Sequence, residues 1–63
     1  MIRFKEPTTL QEYDIEGKTK EISFNQGNTI DAEVLLHDPD HSDLLVEDGT
    51  TFMGVPNDLF EEI

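Results

Sequence analysis

The stretch that most limits what this chain can become is Ser42 to Ile63, SDLLVEDGTTFMGVPNDLFEEI. Two apolar runs, Leu44-Leu45-Val46 and Thr51-Phe52-Met53, flank Asp48-Gly49, the dipeptide suited to a two-residue type I′ hairpin because both central residues take positive φ. That register sets Leu44 opposite Met53 and Leu45 opposite Phe52. A Gly54-Val55-Pro56-Asn57 corner follows, and because Pro56 has no N–H to give a ladder, the strand is expected to end at Val55. Asn57 or Asp58 then caps one helical turn that brings Leu59, Phe60 and Ile63 back to the core. A chain with this ending is built from short strands and tight turns.

The preceding residues fit that reading. Ile2 and Phe4 alternate with Arg3 and Lys5, which predicts a short edge strand stopped by Pro7. Leu10 to Ile15 form a second extended piece leading to a charged loop tip, Glu16-Gly17-Lys18-Thr19-Lys20. Ile22 and Phe24 resume the alternation, and Asn25 to Asn28 turn at Gly27. From Thr29 to Leu36 the period is two: Ile30, Ala32, Val34 and Leu36 share one face, with Asp31 and Glu33 on the other. His37 to Ser42 is a polar loop broken by Pro39. About five short strands at this spacing predict one all-β domain over residues 1–63, a small barrel or sandwich.

Size narrows the chemistry. A chain of 63 residues buries only about 60% of its unfolded surface, so its core is small. Without cysteine it has neither disulfides nor a thiolate zinc site. No apolar run nears the roughly 18 residues of a membrane span, and the N-terminus has no apolar signal-type segment, so a soluble cytoplasmic protein is expected.

Charge is the strongest compositional fact. The net charge is −11, and Lys or Arg occurs only at Arg3, Lys5, Lys18 and Lys20. Residues 1 to 20 are neutral, with Glu6, Glu12, Asp14 and Glu16 balancing those four bases. All eleven remaining acids lie beyond Lys20 with no Lys or Arg among them. Nucleic acid and anionic membranes are thereby excluded as partners, since phosphate contacts need a basic footprint. A basic protein is the natural counterpart.

Candidate chemical sites are sparse. His37, Asp38, Asp40, His41 and Asp43 crowd potential metal ligands into one loop. The calcium pattern fails there, since counting from Asp38 the sixth position is Asp43 where Gly is needed and the twelfth is Gly49 where Glu is needed. Two histidines four apart suit zinc on a helix, which Pro39 opposes. The loop reads as solvated, and no metal or cofactor is expected. Ser23 and Ser42 have no visible base, and the lysines cluster at a turn, so no enzyme is expected.

In order along the chain, Glu12-Tyr13-Asp14-Ile15, Glu21-Ile22-Ser23-Phe24, Gln26-Gly27-Asn28, Asp48-Gly49 and Gly54-Val55-Pro56-Asn57 with Glu61-Glu62-Ile63 resemble the motifs of a Src-homology-3 domain. The resemblance runs from about Tyr13 to Ile63 and implies a five-stranded barrel with a short helical turn near its end. It is poorer for that family's proline-peptide groove. Tyr13 and Pro56 match, but Ile15 replaces the second tyrosine of the opening box, Leu44 or Leu45 the tryptophan, and Leu59 or Phe60 the closing tyrosine. Loss of those rings removes the ridges that grip a polyproline helix. The chain also looks like the barrel variants of bacterial and phage genomes that lack the groove.

The expected function is a non-catalytic acidic interaction module. It binds a basic protein partner through Tyr13, Glu16, Asp38, Asp40, Asp43, Met53 and Pro56, and acts as a monomer or weak homodimer. Two alternatives remain: a phage-type inhibitor whose acids mimic the phosphates of DNA, and an assembly protein that pairs through the edge strand Ile2-Arg3-Phe4.

Overall fold

The structure, a computed structural model, describes the backbone of residues 1–63 and every side chain except those of Leu36 and His37. The chain is all-β. Its strands are β1 Ile2–Phe4, β2 Thr8–Tyr13, β3 Thr19–Phe24, β4 Thr29–Ile30, β5 Ala32–Asp38, β6 His41–Val46, β7 Thr51–Pro56 and β8 Phe60–Glu62, with a single 3-10 turn at Asn57–Leu59. They form two sheets, a small one of order β4-β1-β8 and a large one of order β3-β2-β7-β6-β5. All pairings are antiparallel. Neither sheet closes on itself, so two open sheets stand where the sequence suggests one five-stranded barrel.

The core lies between the sheets. Ile2 and Phe4 of β1, Ala32 of β5, Leu44 of β6, Phe52 and Val55 of β7, and Phe60 of β8 are buried. Leu10, Ile22, Phe24, Ile30, Val34, Val46 and Leu59 pack around them. Phe24 couples the layers: it stacks on Phe4 at 4.3 Å between centroids and meets Phe52 edge-on at 5.6 Å. Each fully buried side chain of this size stabilises the fold by about 1.5–3 kcal/mol, so a handful of residues carries most of the stability.

Several expectations are corrected. Ile2–Phe4 is not an edge: β1 is the middle strand of its sheet, between β4 and β8, and its hydrogen-bonding sides are taken. The run Thr29–Leu36 is not one strand. It breaks at Asp31, so that Ile30 serves the small sheet and Ala32 and Val34 the large one. The backbone of His37–Ser42 is no loop; β5 and β6 run to a turn of only Pro39 and Asp40. Phe60 enters the core from a strand and not a helical turn, no side chain caps that turn, and Ile63 is 55% exposed.

The hairpin at Asp48-Gly49 is corrected by one residue. Asp48 keeps negative φ and only Gly49 is positive, at 94°, so the turn is not type I′. Gly49 N–H donates to Val46 O and Val46 N–H to Thr50 O, which makes a three-residue loop of Glu47, Asp48 and Gly49. The carboxylate of Asp48 accepts the N–H and hydroxyl of Thr50, which holds this wider turn. Leu44 therefore pairs with Phe52, and Leu45 with Thr51. The outcome is sound physically: a one-residue slip turns a strand over, and this register puts both Leu44 and Phe52 inside.

Candidate functional site

The large sheet has one face on the core and one in solvent, and alternation decides what the outer face carries. Because Val34 and Leu44 pair on the inner face, Leu35 and Leu45 must point outward; because Phe52 points in, Met53 points out. Leu35 is 41% and Met53 54% exposed, while Leu45 and Tyr13 are half-buried. Register makes Glu33, Leu45, Thr51, Tyr13 and Thr19 one row across the sheet. Leu35 and Met53 are diagonal neighbours of Leu45, within reach of long side chains. The result is an apolar strip across β5, β6 and β7, continued by Tyr13 on β2.

Acids frame this strip. Asp31, Glu33 and Glu47 line a shallow depression with Leu45, Val46 and Gly49 at one end. Asp43 lies opposite Leu35, and its Oδ1 accepts the N–H of Gly54 at 2.9 Å. That bond has a structural cause. Between Ser42 and Leu44 the register of β6 against β7 shifts by an extra residue of β7, and Gly54 takes φ of 65° there. The bulge frees a backbone N–H that the carboxylate satisfies.

The bases lie elsewhere. Arg3 binds Glu61 at 2.7 Å, Lys18 lies 3.5 Å from Glu16, and Lys20 lies 3.8 Å from Glu12. Those contacts belong to the small sheet and to the β2–β3 hairpin. The β5–β6 half of the large sheet, with its turns, carries Asp31, Glu33, Asp38, Asp40, Asp43, Glu47 and Asp48 without Lys or Arg.

The residues expected to bind a partner do not form one site. Tyr13 pairs with Thr51 at the start of β7, and Glu16 lies in the adjacent turn, whose Ile15 abuts Gly49. Asp38 and Asp40 sit by the other end of β7, where Pro56 pairs with His41 and Asn57 N–H donates to Asp40 O. These ends are about 17 Å apart along the strand. Asp43 and Met53 lie between, and with Tyr13 they belong to the outer strip; Glu16, Asp38, Asp40 and Pro56 do not. Sequence reasoning missed Leu35 and Leu45. The doublets Leu35-Leu36 and Leu44-Leu45 held the signal, since two successive apolar residues in a strand cannot both face inward.

Two aspartates have shifted titration. The hydrogen bond from the His41 ring, with the N–H of Asp40, holds Asp38 below the usual carboxylate range. The N–H and hydroxyl of Thr50 do the same for Asp48. Both carboxylates are exposed and close turns, so the shifts belong to turn geometry. His37, the other histidine of the stretch expected to be a solvated loop, lies outside the described side chains. Among the described residues no group of three His, Asp or Glu converges as a metal would need, and no helix is long and apolar enough to cross a membrane.

Comparison with protein-family models, with curated proteins and with solved structures yields no match.

Proposed function

We propose that this protein is a non-catalytic interaction module which presents the outer face of its large sheet to a basic protein. The observation that carries the reading is the coincidence of two features on one half-sheet. Leu35 and Met53, with half-buried Leu45 between them, supply apolar surface, and among the described side chains the charged groups that frame them are acids. An exposed apolar strip with a polar rim is the usual anatomy of a contact surface. A rim of one sign adds steering toward a partner of the other sign and repels polyanions. The Src-homology-3 likeness belongs to the same proposal: the motif order supports it, and the missing groove aromatics turn its ligand away from polyproline.

A second reading keeps some support from the same half-sheet. Seven acids without Lys or Arg could present a row of charge to a nucleic-acid-binding protein, as a mimic of DNA does. Affinity capture on the immobilised protein separates the two. An apolar-centred interface keeps its partner at high salt, loses it in the double substitution Leu45→Ser, Met53→Ser, and ignores added DNA. A mimic's complex dissolves steeply with salt, tolerates that double substitution and competes with DNA. Absence of any basic protein among the captured species at low salt would sink both.

A further inference from the structure

The large sheet ends in two strands, β3 and β5, that are protected unequally. β3 carries Lys20 with Lys18 just before it, and lysine on an edge is a common device against strand pairing. β5 has neither Lys nor Pro within Ala32–Asp38. Its register with β6 stays regular from Ala32 to Leu36 and shifts only between Leu36 and Asp38. A regularly paired segment of about 16 Å thus forms this end of the sheet. Among the described residues β6 is its one hydrogen-bonded neighbour, so alternate N–H and C=O groups of β5 point away from the sheet.

The charge around this edge selects the occupant. Asp31 precedes it, Glu33 and Asp38 are exposed along it, and the hairpin tip adds Asp40. A second copy of this chain would set acid against acid, in a protein of net charge −11, and like charges across a strand pair are destabilising. An extended segment with alternate Lys or Arg side chains would instead set them on the outer face beside Glu33, and its apolar side chains would fall on the inner face beside Ala32 and Val34. We propose that the β5 edge from Ala32 to Leu36 accepts an extended basic segment of the partner as an additional strand of the sheet. This rests on the reading of the protein as an acidic interaction module and specifies how that module holds its ligand.

The test uses the full chain, labelled with ¹⁵N, and a synthetic seven-residue peptide alternating valine and lysine. Binding at low salt should shift the amides of Ala32 to Leu36 and slow their hydrogen exchange. N-methylation of alternate peptide residues, which removes backbone donors and keeps the charge, should weaken binding about tenfold or more. Glu33→Lys leaves strand pairing within the protein intact and should also weaken it several-fold. Equal binding of both peptides, with shifts centred on Asp43, Leu45 and Met53, would overturn strand addition and leave the acidic module standing. No binding of either peptide at low salt would overturn both.

Discussion

The β2–β3 and β5–β6 hairpins are the same unit placed on either side of β7, yet the chain has spent them differently. In the first, two of the four acids are answered by lysine: Glu12 by Lys20 and Glu16 by Lys18. Its outer face is polar apart from Tyr13, with Thr9 and Ser23 joined hydroxyl to hydroxyl at 3.0 Å, and its inward residues Leu10, Ile22 and Phe24 are only half-buried. In the second, no Lys or Arg answers the acids, but Leu44, Ala32 and Ser42 are buried. Ser42 donates to Asn57 Oδ1, which anchors the hairpin to the turn beyond β7. The half that carries the larger excess of acid is the half most deeply packed. A docking surface gains from this, because rigid support lowers the entropy lost on binding.

The comparison breaks most readily in the core. Leu44→Ala should cost about 3–4 kcal/mol, and Leu10→Ala about half of that, because a fully buried leucine leaves a cavity and a half-buried one partly does not. A domain of this size has a total stability of only about 3–9 kcal/mol, so urea denaturation should find Leu44→Ala largely unfolded or nearly so. Equal losses at the two leucines would erase the asymmetry between the hairpins.

The turns sharpen it next. Gly49 has φ of 94°, and a Cβ there would lie 2.5 Å from Ile15 Cγ2. Gly17, in the opposite hairpin, has φ of 84° with open space around it. Gly49→Ala should therefore cost about 2–3 kcal/mol, and Gly17→Ala only the conformational part, about 1 kcal/mol. Adding Ile15→Ala should restore part of the first loss and none of the second. Thermal denaturation of the four variants would show whether the turns differ as the contacts require.

Smaller effects follow at the carboxylates. Asp43→Ala should cost about 1 kcal/mol by leaving the Gly54 N–H without its acceptor, whereas Asp43→Asn, which keeps an oxygen, should cost less. Asp38 and Asp48 titrate below the usual carboxylate value in the folded protein, so each stabilises the fold at neutral pH. The sign is fixed by linkage: that contribution is present above about pH 4 and disappears as pH falls through the depressed folded value. The stability difference between the parent and Asp48→Asn should accordingly be visible in urea at pH 7 and shrink steadily as the pH is taken below the ordinary carboxylate range. A difference that grows on acidification would contradict the hydrogen bonds assigned to this turn.

Strand identity was readable because alternation was: Ile2, Phe4, Ile22, Phe24, Ala32 and Val34 all face the interior side of strands the pattern places. Pairing was less so. Asp48-Gly49 marks a hairpin, but whether it spans two or three residues depends on Asp48 bonding to Thr50, a choice the dipeptide alone does not make. The alternating run through Thr29–Leu36 hides its break at Asp31, because both pieces show the same period while serving different sheets. His37 to Ser42 looked like a loop for its polarity, yet Asp38 accepting the N–H groups of Asp40 and His41 closes it as a tight hairpin. The expected binding residues were chosen for chemistry, and chemistry does not say which end of a strand a residue stands on.

The middle position of β1 bears on how fast this protein reaches its fold. Ile2 pairs with Glu62, and Arg3 bonds Glu61 across a separation of 58 residues. The hairpins can zip locally within microseconds, but the small sheet waits for a loop of that length to close, and its closure entropy must be met before Ile2, Phe4 and Phe60 are buried together. Such long-range pairing places the folding time toward the slow, millisecond-to-second end for a chain this short. Until then the large sheet stands with one greasy face open, and at a net charge of −11 such unfinished molecules repel one another.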